Sequence, residues 1–403
     1  MARKIYCFAD YELDTVRHQL RKAGATVAVE PRAFDLLCHL VAHRDRVVMK
    51  AELLDAVWGS RFVSEAALTT ALRTARLAVG DSGSRQHLIR TVHRRGYQFV
   101  GTGTVSERDP RPVPAGGPSS RPGPGGQVIR FCHAADGTRI AYATVGTGRP
   151  LLKAANWLTH LDLEWKSPVW AHWLSGLGRG RQLVRYDERG CGLSSWDVPG
   201  FTFEDWVDDL ETVVDAVGLD RFPLLGVSQG GAVAVAYAAR HPERVSRLIL
   251  AGAYARGRQV RARDDAERDA AALDLDLARV GWTHQDPSFL RVFASQFLQT
   301  GTAQEWDDFT ELQRRTTSPA NGVRFLEEFA RIDVSGIAHR VSCPTLILHS
   351  RRDARVPVSQ ALELAAMIPD SRLALLDSGN HLLTSSEPAW SEFLSQVDAF
   401  LAE

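Results

Sequence analysis

Between residues 104 and 127 the chain reads TVSERDPRPVPAGGPSSRPGPGGQ, with six prolines and five glycines among 24 residues and almost nothing apolar. Such a segment cannot supply a core. Proline withholds backbone donors, glycine loses the most entropy on ordering, and no side-chain surface is buried in return. The stretch therefore reads as a linker, and folding must take place on either side of it, in residues 1–103 and 128–403. As a flexible coil it would hold its ends roughly 25–30 Å apart, so the two parts need no permanent contact. With 403 residues and 44% hydrophobic content there is material for a separate core in each.

The net charge of zero hides an asymmetry. Residues 1–103 hold 16 Lys and Arg against 10 Asp and Glu, and the remainder holds 32 against 38. The front part is therefore about +6 and suits a polyanion partner, or simply carries a solvated basic face. Five scattered cysteines, Cys7, Cys38, Cys132, Cys191 and Cys343, have no metal-ligand spacing and read as reduced thiols. There is no apolar signal-peptide core at the start and no run of about 18 apolar residues, so a cytoplasmic protein is expected. With no phosphate-cradling loop, dinucleotide fingerprint or Cys/His ligand set, neither a cofactor nor a metal is implied.

Ahead of the linker, IYCFAD, ELDTVRHQL and ATVAVE predict small strands. A first helix opens at Pro31, with Phe34, Leu37, Leu40 and Val41 at helical spacing. A second carries Leu53, Leu54, Val57 and Trp58 and stops at Gly59, and a third runs from an N-cap at Ser64 to about Val79. LIRTV and YQFVG then form a hairpin about HRRG. On the third helix Leu68, Leu72, Ala75 and Val79 share one side, whereas Ala66, Thr70, Arg73 and Thr74 lie opposite, with Arg76 on the flank. Threonine and arginine on a small outer face suit a major groove, where they contact thymine methyl groups and guanine edges. Taken alone, an ordinary amphipathic surface helix has the same pattern.

In its strands, three helices and RTVHRRGYQF ending, residues 3–101 resemble the OmpR/PhoB-type winged helix-turn-helix. That resemblance implies double-stranded DNA as partner, the third helix as the recognition helix, and Thr91, His93, Arg94 and Arg95 as a wing against phosphates or a minor groove. Arg73 and Thr74 match positions which that family uses on DNA. Ala66 and Ala71 are small where it often has polar or basic contacts. No receiver domain with a phosphoacceptor Asp is seen ahead of it, so regulation is expected through the C-terminal part.

After the linker, RIAYATVG, LLKA, RQLVRYD, PLLGVS, RLILAG, TLILHS and RLALLD alternate with helical segments. This pattern predicts a mostly parallel sheet with helices on both faces. The interval 253–342 is too long for one crossover and reads as an inserted helical cap. LLGVSQGG places Ser228 in a Gly-x-Ser-x-Gly elbow between a strand and an Ala-rich helix. Asp353 follows TLILHS, and His381 follows RLALLD. The order Ser, Asp, His at three strand ends is that of α/β-hydrolases, and residues 128–403 resemble that superfamily. YDERGCGLSS is similar to its Asp-x-Arg-Gly-x-Gly-x-Ser loop. NWLTHL and YDERGCGLS resemble the hydrolase modules fused to bacterial regulators and cyclases.

The resemblance implies Ser228 as nucleophile, His381 as base and Asp353 as its orienting acid. On the residues alone, Asp353 could instead pair with Arg351, Arg352 or Arg355, and Asp377 is a second acid near His381. One oxyanion donor is expected from the Gln229 N–H. For the other, Ala154-Ala155-Asn156-Trp157 replaces the His-Gly common in the superfamily, which leaves the backbone of Asn156 or Trp157. Trp157, Trp165, Trp282 and Trp306 are candidate pocket walls. The expectation is a homo-oligomeric transcriptional regulator whose α/β-hydrolase domain binds, and hydrolyses, a small ester- or lactone-like effector. Two alternatives stay open: a serine esterase with an accessory winged helix, and a non-catalytic ligand sensor that controls DNA binding.

Overall fold

A computed structural model describes residues 4–14, 19–22, 25–27, 29–58, 65–92, 95–101, 103–107, 126–198, 200–283 and 288–403. His93 and Arg94 of the expected wing, Gly59, the Ser64 cap and most of the linker lie outside the described residues. The chain divides into two units, Met1–Pro118 and Ser119–Glu403.

The front unit opens with β1 (Lys4–Phe8), β2 (Tyr11–Asp14), β3 (Gln19–Lys22) and β4 (Ala25–Val27). The helical part follows as α1 (Pro31–Ala42), β5 (Val48–Met49), α2 (Lys50–Trp58) and α3 (Glu65–Ala78). A hairpin of β6 (Ile89–Val92) and β7 (Gly96–Phe99) precedes a last strand, β8 (Gly103–Glu107). The first sheet is antiparallel in the order β4-β3-β2-β1-β8, and β5-β7-β6 form a second.

Two expectations are corrected here. ELDTVRHQL supplies two antiparallel strands, β2 and β3, instead of one. The linker does not begin at 104, because Gly103–Glu107 pairs with β1. The first proline of the segment is Pro110, so the backbone before it keeps its donors and pairs with β1 as a fifth strand.

Helices α1 and α3 pack together, and Leu36, Leu37 and Leu40 of one and Leu68, Leu72 and Ala75 of the other are buried in one core. The Asp81 carboxylate accepts the backbone N–H groups of Ser82, His87, Leu88 and Ile89 at 2.7, 3.2, 3.0 and 2.8 Å. It thereby fixes the entry to the β6–β7 hairpin.

In the second unit, β9 (Val128–His133), β10 (Arg139–Val145), β11 (Arg149–Lys153), α4 (Ala171–Leu177) and β12 (Arg181–Tyr186) come first. Then α5 (Phe203–Val217), β13 (Phe222–Val227), α6 (Gln229–Arg240) and β14 (Val245–Ala251) alternate. Five helices follow without an intervening strand: α7 (Arg258–Arg261), α8 (Asp265–Thr283), α9 (Ser288–Ser295), α10 (Ala303–Thr316) and α11 (Pro319–Arg331). The chain returns to the sheet as β15 (Thr345–Ser350), α12 (Ser359–Met367), β16 (Ser371–Leu376) and α13 (Pro388–Ala402).

The eight strands run β16-β15-β14-β13-β11-β12-β10-β9, parallel from β16 to β12 and antiparallel for β10 and β9. Every residue of β15 is buried, as a strand covered on both faces requires. Helix starts follow local chemistry. Thr202 with Asp205 and Thr302 with Glu305 form capping boxes on α5 and α10, and Ser318 caps α11 ahead of Pro319. Among the described residues no helix is long and apolar enough to cross a membrane.

Candidate functional site

The apolar strand β13 ends at Val227, and α6 begins at Gln229, so Ser228 must turn the chain between them. Its φ of 53° and ψ of −127° are a conformation that L residues rarely adopt. Glycine makes the surrounding packing possible. A Cβ on Gly226 would lie 2.5 Å from Gly231 Cα, and one on Gly230 would lie 2.4 Å from the Ala155 carbonyl oxygen. The second contact brings the loop after β11 directly against the start of α6.

Ser228 Oγ lies 2.9 Å from His381 Nε2, and His381 Nδ1 lies 2.7 Å from Asp353 Oδ2. A carboxylate accepts only, so Nδ1 carries the hydrogen and Nε2 is left to accept from the serine hydroxyl. All three residues are buried. Asp353 Oδ1 also accepts the backbone N–H of Arg355 and of Val356, each at 2.8 Å. Burial alone would raise the Asp353 carboxyl, but its interactions with His381, His349 and the Val356 N–H outweigh it and hold it below its ordinary value. The Arg355 guanidinium turns to Asp274 at 2.6 Å, while Asp377 is exposed and pairs with Arg352 at 2.7 Å.

Residue-type reasoning missed His349 on β15. Its Nε2 donates to the Val356 carbonyl at 2.9 Å and lies 3.7 Å from Asp353, and burial lowers its pKa. It holds the loop that carries Asp353. The one available signal was a histidine among aliphatic residues at the end of TLILHS.

The loop of Ala154, Ala155, Asn156 and Trp157 is buried. Asn156 accepts from the buried ammonium of Lys153, and Trp157 Nε1 donates to Gln313 on α10 at 3.0 Å. The Gln229 side chain donates to the buried carboxyl of Glu188. Burial pushes Glu188 up to about 8 and Asp187 up to about 7, and brings Lys153 down to about 8. In the YDERGCGLSS loop, Asp187 accepts from Leu193 N at 2.8 Å, and Arg189 clamps Asp209 at 2.8 and 2.6 Å. That loop is therefore a buried brace for the elbow.

Ser228 lines a pocket with Trp157, Tyr254, Phe297 and Phe329 among its walls. Of the four tryptophans expected there, Trp157 alone lines it. Trp282 packs behind Trp157 with ring centroids 5.8 Å apart. Trp165 donates to Gln127 and Trp306 to the Leu298 carbonyl, both at 2.8 Å.

In the front unit, Leu68, Leu72, Ala75 and Val79 of the third helical segment are buried. Thr70 and Arg73 are exposed and Thr74 is partly so. Arg76 does not belong to the outer face. It is buried, and its Nη2 donates to the Ile89 carbonyl and Thr91 Oγ1, each at 2.9 Å, because the helix turns this flank toward the hairpin. Thr91 is thus an exposed hairpin residue held by Arg76, and Arg95 at the turn is exposed.

Comparison with known proteins places both units. Residues 162–388 match the family described as alpha/beta hydrolase fold, and residues 24–99 match the family described as transcriptional regulatory protein, C terminal. A putative carbamate hydrolase RutD from Pseudomonas savastanoi pv. phaseolicola is 27% identical over 223 residues, 55% of this chain and 85% of that protein. A non-heme haloperoxidase from Rhodococcus erythropolis is 26% identical over 262 residues, 62% of this chain and 92% of that protein. Among solved structures, an esterase (EaEST) from Exiguobacterium antarcticum has a TM-score of 0.58 at 23% identity, covering 68% of this chain and 99% of that one. The esterase RhEst1 from Rhodococcus sp. ECU1013 has a TM-score of 0.54 at 26% identity, covering 68% and 98%. The chain belongs to the alpha/beta hydrolase fold family and carries a transcriptional-regulator DNA-binding domain ahead of its hydrolase domain.

Proposed function

We propose that this protein is a DNA-binding transcriptional regulator whose hydrolase domain binds and cleaves a small ester-, lactone- or amide-like effector at Ser228. The observation that carries the reading is the unbroken relay from Asp353 through His381 to Ser228, at 2.7 and 2.9 Å, beneath an open pocket. Esterase and carbamate hydrolase relatives support acyl chemistry for such a relay.

In this reading Ser228 Oγ bonds to the acyl carbon while its proton passes to His381 Nε2. Asp353 stabilises the imidazolium and keeps the ring oriented. The charge on the carbonyl oxygen meets the Gln229 N–H, at the positive end of α6, and a backbone N–H of Asn156 or Trp157. The bond to the leaving group then breaks, and that group takes the proton from His381. Water next gives its proton to His381 and its hydroxyl to the acyl carbon; the bond from that carbon to Ser228 Oγ then breaks, Oγ takes the proton back from His381, and the acid leaves. No cofactor enters.

Thr70, Arg73 and Thr74 on α3, with Thr91, His93, Arg94 and Arg95 at the wing, are the proposed DNA contacts. A signal requires that effector bind the DNA-competent and incompetent states unequally. We place that difference in pairing of two chains, which sets the half-site spacing. Light scattering with and without effector should show a change in mass.

The test of the hydrolase reading is intact-mass analysis after fluorophosphonate treatment. A single adduct is expected on the wild-type protein and none on Ser228→Ala. A folded wild-type protein that takes no adduct would move the reading to a non-catalytic sensor.

A further inference from the structure

The pocket over Ser228 has an unbalanced charge. Arg258 and Arg261 from α7 and Arg355 from the loop after β15 face it, and Asp274 from α8 is the one carboxylate in its wall. Asp274 is already shared, at 2.6 Å from Arg355 and 3.4 Å from Arg258. Arg261 forms no ion pair among the described residues. Its Nη1 and Nη2 reach only the carbonyls of Arg256 and Arg355, at 3.2 and 3.5 Å, and its guanidinium lies 5.8 Å from the Tyr254 ring centroid. Asp353 sits one layer deeper, engaged by His381.

We propose that this pocket is built for a substrate carrying a carboxylate in addition to its scissile bond, with Arg261, supported by Arg258, as the carboxylate subsite. The inference rests on the hydrolase reading of Ser228 for turnover, but not for binding.

The physical argument is one of desolvation. Arg258 and Arg261 are partly buried, and that burial lowers Arg261 and brings Arg258 down to about 10. A guanidinium kept in that state without a carboxylate partner is unfavourable unless something else supplies one. A ligand carboxylate does so with the planar two-bond geometry that arginine offers. Phe297, Phe329, Leu326 and Trp157 leave the rest of the pocket apolar or aromatic. The ligand therefore has an apolar body with an acid at one end.

Two chromogenic esters of equal chain length test this on the full chain: mono-p-nitrophenyl adipate, and p-nitrophenyl hexanoate, which has a methyl group in place of the acid. The expected wild-type kcat/KM ratio, corrected for spontaneous hydrolysis, favours the adipate by about tenfold or more, the scale of one charged hydrogen-bonded contact. Arg261→Gln should cut that ratio at least tenfold, chiefly through KM, and Arg261→Lys should leave an intermediate ratio. A wild-type ratio of one or less overturns the proposal, whether or not the variants fold, and so does an equal loss on both esters in Arg261→Gln.

If neither ester is turned over, the fluorophosphonate adduct still decides the hydrolase reading, and binding decides the subsite. In Ser228→Ala, adipate should quench tryptophan fluorescence saturably while adipamide does not, and Arg261→Gln in that background should lose the response. Equal responses to adipate and adipamide would overturn the carboxylate subsite.

Discussion

The conformation of Ser228 makes a prediction that is separable from chemistry. At φ 53° and ψ −127° a side chain is strained by roughly 1–3 kcal/mol, a cost that glycine escapes. Replacing Ser228 by Ala or by Gly removes the same hydroxyl and the same hydrogen bond to His381, so the two variants differ only in the Cβ. At an ordinary position Ala is the more stable by about 0.4–1 kcal/mol, because glycine has more freedom to lose. Here the strain term outweighs that, and Ser228→Gly should exceed Ser228→Ala in stability by about 1–2 kcal/mol. Nine of the ten tryptophans lie within Ser119–Glu403, so tryptophan fluorescence in urea follows this unit. For a domain of this size the difference amounts to about 2–6 °C in melting temperature. Equal melts, or a more stable alanine variant, would refute the claim that the elbow stores strain. Neither variant should take a fluorophosphonate adduct.

Arg73→Ala should weaken operator binding at least tenfold in a gel-shift titration without moving the melt, since Arg73 is exposed on α3. Arg76→Ala should instead lower the stability of the front unit by about 2 kcal/mol by circular dichroism, because it strips the Ile89 carbonyl of a charged donor. Glu188 titrates near 8 in the fold against an ordinary 4.5, so between these values the native state holds a proton that the unfolded chain lacks. Stability therefore falls as pH rises through that window, by at most about 1.4 kcal/mol per unit. Glu188→Gln keeps an acceptor for Gln229 and removes the Glu188 part of the slope, so urea melts should show its advantage over wild type growing from pH 5 to pH 8. Parallel profiles would show that Glu188 is ionised when buried.

The elements that sequence reasoning reached are those whose signal is local. The elbow is announced by its own glycines, β13 and β15 by aliphatic runs, and the buried stripe of α3 by helical spacing. Strand β9 was missed because its residues are exposed or only partly buried, and VIRFCH neither alternates nor forms a solid apolar run. Strand β8 was hidden within a segment whose prolines begin only later. Arg76 was misplaced because a helical wheel gives direction but not neighbours. Its partners lie 13 and 15 residues away in the hairpin. The arginines at the pocket were equally invisible, since Arg258, Asp274 and Arg355 meet only after the five helices fold back over Ser228.

The same distinction explains the departure at Ala154-Ala155-Asn156-Trp157. Where relatives have His-Gly, this loop has no glycine of its own, and a bulky Trp157 there suggests a blocked site. The clearance comes from the opposite partner: Gly230, at the start of α6, leaves the space that the Ala155 carbonyl occupies. The loop is then held from both sides, with Asn156 tied to Lys153 and the Trp157 indole tied to Gln313. Trp157 stands as one wall of the pocket, with Phe293, Phe325 and Phe329 packed around it at centroid distances of 5.7, 6.3 and 5.8 Å. The room for this loop is thus left by the second glycine of the Gly-x-Ser-x-Gly elbow, 75 residues after Ala155. These side-chain bonds hold the backbone of Asn156 and Trp157 in place, which is what the oxyanion donor proposed there requires, since such a group must not reorganise during the reaction.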